Sequence, residues 1–390
     1  MVREKINKHF PVFNDISFLS VAYMVPTIIA AIFWFYVASL IGVENYGEIT
    51  YYLTIAGIVS GITMLGTQNS LTVYAAKGEK LLPIISLITF PITVIGAIIV
   101  FFTFYNLGAS IHVFSYVIFS LITAEFLGRK LFKSYMKITI IQKLLMVTLS
   151  ILFYYIFGSD GIIIGISLSF VPFITLYYKE FKNTKINFKV LKSKKEFMIN
   201  NYLLSFTRMF ASSIDKIIIM PIFGFAVLGN YALGMQFYMV LLIIPNIIYQ
   251  YVLPQDAVGN PSIVLKKLTI LVSMGLTILG IVFSPIIIGL MFPKFLDAII
   301  IVQIISLGVI PGTINFMYIS KFLGDLQNKI VLISSGIFLV TIILGMIFLG
   351  KLYDVHGIAA SFVLAGTTES VFLIICNKYY KIQKKSNDIV

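Results

Sequence analysis

Cysteine, histidine, tryptophan and acidic residues are all scarce in this 390-residue chain. The single cysteine, Cys376, rules out an intrachain disulfide and with it a disulfide-stapled ectodomain. The three histidines, His9, His112 and His356, lie far apart with no ligand spacing, so no metal site is expected. No phosphate-cradling Gly-Lys-Ser/Thr loop and no nucleophile elbow occurs, and no cofactor is expected. Charged residues reach only 12%, against about 25% in soluble domains. Long polar loops are missing too, which leaves an ATP-driven pump or a soluble-domain glycosyltransferase nowhere to keep its active site, and the chain reads as a non-enzyme.

What remains is apolar. Hydrophobic residues make up 59% of the chain and fall in long runs without strand alternation. That pattern excludes a β-barrel and indicates an all-α polytopic membrane protein. Twelve spans are expected, at 16–40, 46–75, 81–106, 110–128, 138–158, 161–178, 198–223, 228–255, 264–292, 296–320, 328–350 and 355–377. The basic N-terminus leads into an apolar run longer than a signal-peptide core, so it reads as a retained first helix. The net charge of +13 sits in short lysine blocks between spans, which argues for membrane topology and against nucleic acid as a partner. Arg129, Lys130, Lys133, Lys137 and Lys143, the loop 179–197, Lys266, Lys267, Lys321, Lys329 and the tail lysines sort to one side. The other side receives Lys294, Lys351, Glu44, Asp160, Asp297 and Asp354. This asymmetry puts both termini in the cytosol.

The chain also repeats. Phe126-Leu127-Gly128 matches Phe322-Leu323-Gly324, and Gly161-Ile162 matches Gly357-Ile358, both at an offset of 196. Asn45-Tyr46-Gly47 echoes Asn230-Tyr231-Ala232 at an offset of 185. Two six-helix bundles inserted in the same orientation follow, 1–178 and 198–390, related by a pseudo-two-fold along the membrane normal, with 179–197 a basic cytosolic linker.

Span seven holds the strongest site signal. Asn201, Ser205, Arg208, Ser212 and Asp215 follow helical spacing and share one face inside an apolar segment. Charges there are costly and face a cavity or a partner. Arg208 is expected roughly 16 Å deep, near the midplane. Its permanently charged fork suits phosphate, with Asp215 tuning or releasing the ligand. Lys216 lies one residue past Asp215, about 100° off the stripe. Bundle-holding pairs between helices are the bland alternative for these charges. Glu369, inside span twelve, is a second buried carboxyl and with Asp215 a candidate for ion coupling. Glu125 is expected to pair with Arg129 at the basic rim. Pro245, Pro285 and Pro311 offer kinks, and Gly57/Gly61 and Gly161/Gly165 close packing.

The segment Asp215-Lys216-Ile217-Ile218-Ile219, a Gly-rich turn, and Leu228-Gly229-Asn230-Tyr231-Ala232 running to Pro254, with the echo Val43-Glu44-Asn45-Tyr46-Gly47, carries a resemblance. It resembles the Wzx-type polysaccharide repeat-unit flippases of the multidrug/oligosaccharidyl-lipid/polysaccharide (MOP) exporter superfamily, over essentially the whole chain. The resemblance implies a bacterial inner-membrane carrier that moves undecaprenyl-diphosphate-linked oligosaccharide to the outer leaflet by alternating access, for O-antigen or capsule synthesis. Its implied partners are the lipid-linked oligosaccharide, membrane lipid, a polysaccharide polymerase and a chain-length regulator. One departure is that span one carries Tyr23, Trp34 and Tyr36 but no Lys or Arg, although related flippases often place cations there. A cation-coupled multidrug exporter of the same superfamily would favour cavity carboxylates over arginine. A polysaccharide polymerase would carry a large outward loop, and a scaffold would need no midplane charge.

Overall fold

A computed structural model describes the backbone of residues 2–182, 202, 210 and 213–387, and the side chains of 18–182, 202, 210 and 213–379. Among these residues the chain forms helices and turns and no strand. The elements are α1 (Val2–Ile41), α2 (Val43–Thr63), α3 (Thr67–Ala76), α4 (Leu82–Phe104), α5 (Leu107–Gly128), α6 (Phe132–Phe157), α7 (Ser159–Leu168) and α8 (Ile174–Lys182). The second half supplies α9 (Ile214–Leu241), α10 (Ile243–Ala257), α11 (Ile263–Met291), α12 (Ala298–Leu307), α13 (Val309–Gly324) and α14 (Asn328–Asn387).

Nine of the described helical stretches are long and apolar enough to cross a membrane, and the α2–α3 pair, bent by 53°, makes a tenth. Two of the nine contain a break. Gly224, at φ 84°, folds α9 back on itself. Tyr353 and Asp354 break the long α14 in the same way. Ten segments thereby become twelve, the all-α polytopic architecture expected.

Local chemistry explains the ends. Asn106 caps α5 by accepting from the Ala109 amide at 2.8 Å, because the first amides of a helix have no internal acceptor. Pro83 occupies the opening turn of α4, where its missing N–H costs nothing. Inside the apolar spans, Ser and Thr hydroxyls bond back to the preceding turn, as Thr93 does to the Thr89 carbonyl at 2.7 Å. Each such bond shelters a polar group that hydrocarbon would otherwise penalise.

Residue contacts divide the chain into two compact units. One comprises Met1–Trp34 and Tyr52–Met209, the other Phe35–Tyr51 and Phe210–Val390. The first unit buries Leu71, Leu82, Ile85, Val117 and Leu121 between α3, α4 and α5. Its α5 crosses α3 so closely at Gly128 that a Cβ there would strike the Thr72 carbonyl and the Ala75 side chain. In the second unit Phe322, Val331 and Leu373 pack α13 against both stretches of α14. There α13 crosses α10 at Gly324, where a Cβ would meet the backbone of Asp256 and Ala257.

The offset of 196 recurs beyond those glycines. Lys130 (φ 59°) and Leu326 (φ 58°) close the two helix ends with left-handed backbone. In each turn the next amide bonds back to a phenylalanine carbonyl, Leu131 to Phe126 and Gln327 to Phe322. Gly158 (φ 67°) and Asp354 (φ 48°) break the chain at matching points. Gly161 and Gly357 then pack onto the carbonyls of Phe153 and Leu349.

The repeat near the first turn has a different register from the one expected. Gly42 (φ 82°) matches Gly224 (φ 84°), an offset of 182. Both need left-handed backbone, which only glycine adopts freely. Five residues on, a Cβ at Gly47 would overlap the Phe225 carbonyl, and one at Gly229 would overlap the Val43 carbonyl. The contact is reciprocal within the second unit, and edge-to-face rings, Tyr51 on Phe225 and Tyr46 on Phe295, flank it. Backbone approach set this register. The Asn-Tyr echo at offset 185 does not coincide with this backbone register.

A second correction concerns Lys143. The start of α6 carries Lys133 and Lys137 in exposed positions, as rim lysines should be. Lys143 was expected beside them, yet it lies eleven residues after Phe132 in a helix of 26 residues. At about 1.5 Å per residue that is roughly 16 Å along the axis. A lysine at the centre of a span costs about 2.5–3.5 kcal/mol on insertion scales, so its surroundings must compensate.

Candidate transport site

The Gly224 break turns α9 into a hairpin whose two arms bring Asp215 and Tyr231 to similar height. Asp215 precedes the break by nine residues and Tyr231 follows it by seven, a difference of about 3 Å along the axes. The Tyr231 hydroxyl spans that gap and donates to Asp215 Oδ2 at 3.0 Å. Tyr231 is fully buried and Asp215 nearly so. The Lys216 amide donates to Asp215 Oδ1 at 2.9 Å, and its ammonium curls back to lie 3.2 Å from both carboxylate oxygens.

Asp215 thus has three donor groups around one carboxylate at the opening of a helix, where the helix dipole also favours negative charge. The Lys216 cation is not free in this arrangement. Any anion that takes Lys216 must compete with Asp215. One residue before Tyr231, Asn230 is buried with its Oδ1 unpaired among the described residues. Of the stripe read from span seven, Asn201, Ser205, Arg208 and Ser212 lie outside the described residues.

Glu369 sits elsewhere in the second unit, in the second stretch of α14. Its two oxygens are met by neutral donors from two other helical stretches, Asn315 Nδ2 of α13 at 2.9 Å and Ser334 Oγ of α14 at 3.1 Å. Ser370 Oγ holds Asn315 in turn by donating to its Oδ1 at 2.6 Å. The Asn315 amide therefore faces Glu369 with its NH₂ end. No cation pairs with Glu369 among the described residues. A buried carboxyl held only by neutral donors is suited to take up a proton or a small cation.

Sequence reading did not single out Asn315, Ser334 and Ser370. They are ordinary polar residues, 54 and 35 positions from Glu369 in the first two cases, and only packing joins them. Tyr231 was visible in the motif, but its role as the donor to Asp215 was not. At the rim of the first unit the structure agrees with expectation. Arg129 pairs with the buried Glu125 and also reaches Glu180 at 2.9 Å.

No protein-family profile matches the sequence, and no curated protein matches it. Solved structures do match. The lipid II flippase MurJ in an inward closed conformation superposes with a TM-score of 0.75 at 15% identity, covering 93% of this chain and 87% of that one. An inward-facing multidrug resistance MATE family transporter of the MOP superfamily gives a TM-score of 0.76 at 13% identity, covering 95% of this chain and 99% of that one. A MATE transporter in complex with MaD5 gives 0.64 at 13% identity, covering 95% and 96%. These are transporters and flippases, and at such identities the likeness is one of fold. The chain is a multi-pass membrane protein with the fold that MurJ and the MATE transporters of the MOP superfamily share.

Proposed function

We propose that the protein flips undecaprenyl-diphosphate-linked oligosaccharide repeat units across the bacterial cytoplasmic membrane, for O-antigen or capsule synthesis. The observation that carries this reading is a fold shared with a lipid flippase, combined with the Asp215–Lys216–Tyr231 cluster at the end of span seven and in span eight. A diphosphate and its glycan cannot cross hydrocarbon unaided, since desolvating the charges costs too much. A polar pathway lowers that cost while the polyprenyl tail stays in lipid. In this reading the bundles 1–178 and 198–390 alternate access, both termini are cytosolic, and Arg208 holds the diphosphate with Asn201, Ser205 and Ser212 beside it. Asp215 is the internal counter-ion that occupies Lys216 until the anion arrives. Glu369 is the candidate for coupling to an ion gradient. A polymerase and a chain-length regulator are the expected downstream partners.

The test is complementation of a strain lacking its repeat-unit flippase, scored by surface polysaccharide at matched protein level. Wild type should restore polymer, Arg208→Ala should not, and Arg208→Lys should restore part of it, since it keeps charge but loses the fork. Losing a bidentate charge-assisted contact costs about 1.5–3 kcal/mol, roughly tenfold to a hundredfold in ligand occupancy. Asp215→Asn should be milder than Arg208→Ala. Full polymer from Arg208→Ala would remove the arginine from the site.

A second reading, a cation-coupled multidrug exporter, draws support from the MATE likeness and from the Glu369 carboxyl, which no cation pairs with among the described residues. It predicts drug resistance in place of polymer. Failed complementation together with Glu369-dependent drug efflux would favour it.

A further inference from the structure

The two neighbours that hold Glu369 differ in what they are able to do. Asn315 is fixed. Its Nδ2 lies 2.9 Å from Glu369 Oε2 and 3.2 Å from the Gly366 carbonyl. An amide turned the other way would set its Oδ1 against that carbonyl, which cannot donate in any state of Glu369. Its Oδ1 instead accepts from the Ser370 hydroxyl at 2.6 Å. Asn315 therefore presents only N–H to the carboxyl. Ser334 is free to turn its proton. Its Oγ lies 3.1 Å from Glu369 Oε1 and 2.9 Å from the Val331 carbonyl, one turn back in α14. One hydroxyl proton faces two acceptors, and the oxygen keeps lone pairs with which to accept.

Two complete hydrogen-bond sets follow. With Glu369 ionised, Ser334 donates to Oε1 and Asn315 to Oε2. With Glu369 protonated on Oε1, the acid donates to Ser334 Oγ, whose own proton turns to the Val331 carbonyl, while Asn315 still donates to Oε2. The change takes one proton from water and cancels one negative charge, and no heavy atom has to move. Glu369, Ser334 and Asn315 are all buried, where a polar atom left without a partner in either state would be costly. A metal ion fits less well. It needs a shell of oxygen lone pairs, whereas Asn315 holds its oxygen turned away and offers a positive N–H edge.

Other titratable groups leave this layer without a competing charge. Tyr238 of α9 reaches it, with its hydroxyl against Gly312, one turn before Asn315, and its ring edge to face with Phe362 of α14. Tyr318 and Cys376 pack onto the Phe322, Val331 and Leu373 cluster, about a turn away. Lys321 is bonded to Asn377, two turns beyond Glu369. Asp256 of α10 and Lys266 of α11 pair with each other. The helix α12 has no titratable residue, and the other charged residues of α14 stand at its ends and at its break.

We infer that Glu369 is a reversible proton site whose acceptor is Ser334, and that Asn315, positioned by Gly366 and Ser370, disfavours metal cations there. As the identity of the coupling ion this rests on the transport reading. As a protonation site it does not.

The test is infrared difference spectroscopy on the full chain in nanodiscs, titrated from mildly acidic to mildly alkaline pH. Wild type should show a carboxylic-acid C=O band that disappears as pH rises, and Glu369→Gln should lack it. Ser334→Ala should keep the band but move it to higher frequency, because the acid loses its acceptor. Replacing potassium by sodium should leave the wild-type titration unchanged, an arm that depends on no variant's folding. Absence of a titrating Glu369 band overturns the proton site. A band unmoved in folded Ser334→Ala overturns the role of Ser334, and a titration displaced by sodium overturns the selectivity. A wild type that fails complementation yet shows the band would reject the flippase reading and leave the proton site standing. Complementation without the band would reject the proton site alone.

Discussion

The two units are built on one backbone pattern and differ in the polar groups they hold away from the helix crossings. In each, a glycine lets the helix before the left-handed turn press onto a short helix, Gly128 onto α3 and Gly324 onto α10. An ion pair lies beside each crossing, Glu125 with Arg129 and Glu180 in the first unit, Asp256 with Lys266 in the second. Away from the crossings they diverge. The second unit buries carboxyls and supplies each with donors, Asp215 with Tyr231 and Lys216, Glu369 with Asn315 and Ser334. In the first unit the half-buried Lys143 has, among the described residues, only the Met146 sulfur as a hydrogen-bond partner. The pattern of helices is therefore a shared frame, and the halves differ in a handful of interior polar residues. Close packing tolerates little change at the crossings, but an interior polar position can be refilled without moving the backbone.

The sharpest break of this comparison is at the crossings. Gly128→Val and Gly324→Val each drive side-chain atoms into a neighbouring helix, with backbone on the path. Each should cost about 3 kcal/mol or more, at the upper end of overpacking penalties. Thermal unfolding of the purified protein in detergent should show both transitions lowered by similar amounts. One variant lost and the other untouched would mean the crossings are not equivalent.

A smaller effect should appear with opposite sign in the two interiors. Glu369→Ala leaves Asn315 and Ser334 without their acceptor, a loss of about 2 kcal/mol. Lys143→Met removes a cation that pairs with no carboxylate among the described residues and should leave stability equal or raised. Parallel unfolding curves decide this. Destabilisation by Lys143→Met would show that the lysine has a structural partner, and the contrast between the units would weaken.

Smallest of all is the rim. Glu180→Gln removes one arm of the Arg129 pair, in which both side chains are partly solvated. Water and salt screen such pairs, so the change should be about 0.5 kcal/mol, at the edge of detection in the same assay. A loss of several kcal/mol there would mean that the rim pair contributes far more to holding α8 against α5 than a solvated pair should.

Several features of this picture were legible before any coordinates. Long apolar runs mark the spans, and the identical triplets at 126 and 322 fall where the two helices cross. Asp215, Lys216 and Glu369 stand out because charged residue types are rare in apolar runs. Other features were not. Lys143 reads as a rim lysine because it follows four other cations within 15 positions and the apolar run begins at 138. The helix begins at Phe132, after the left-handed Lys130, and those six extra residues put Lys143 at mid-helix. The turn repeat differs by three positions from the side-chain echo, because the contact is made by bare backbone at Gly47 and Gly229.

The boundary between the two kinds of knowledge has a physical basis. Partition between lipid and water depends on the summed polarity of a local segment, so membrane insertion, span number and the suspicion that attaches to Asp215 and Glu369 all follow from residue order alone. Hydrogen bonds inside a span require a partner from another helix, and linear order does not specify which helix comes near. That Glu369 meets Asn315 and Ser334, that Asp215 neutralises Lys216 while Tyr231 holds it, and that Lys143 meets no carboxylate among the described residues were decided by packing.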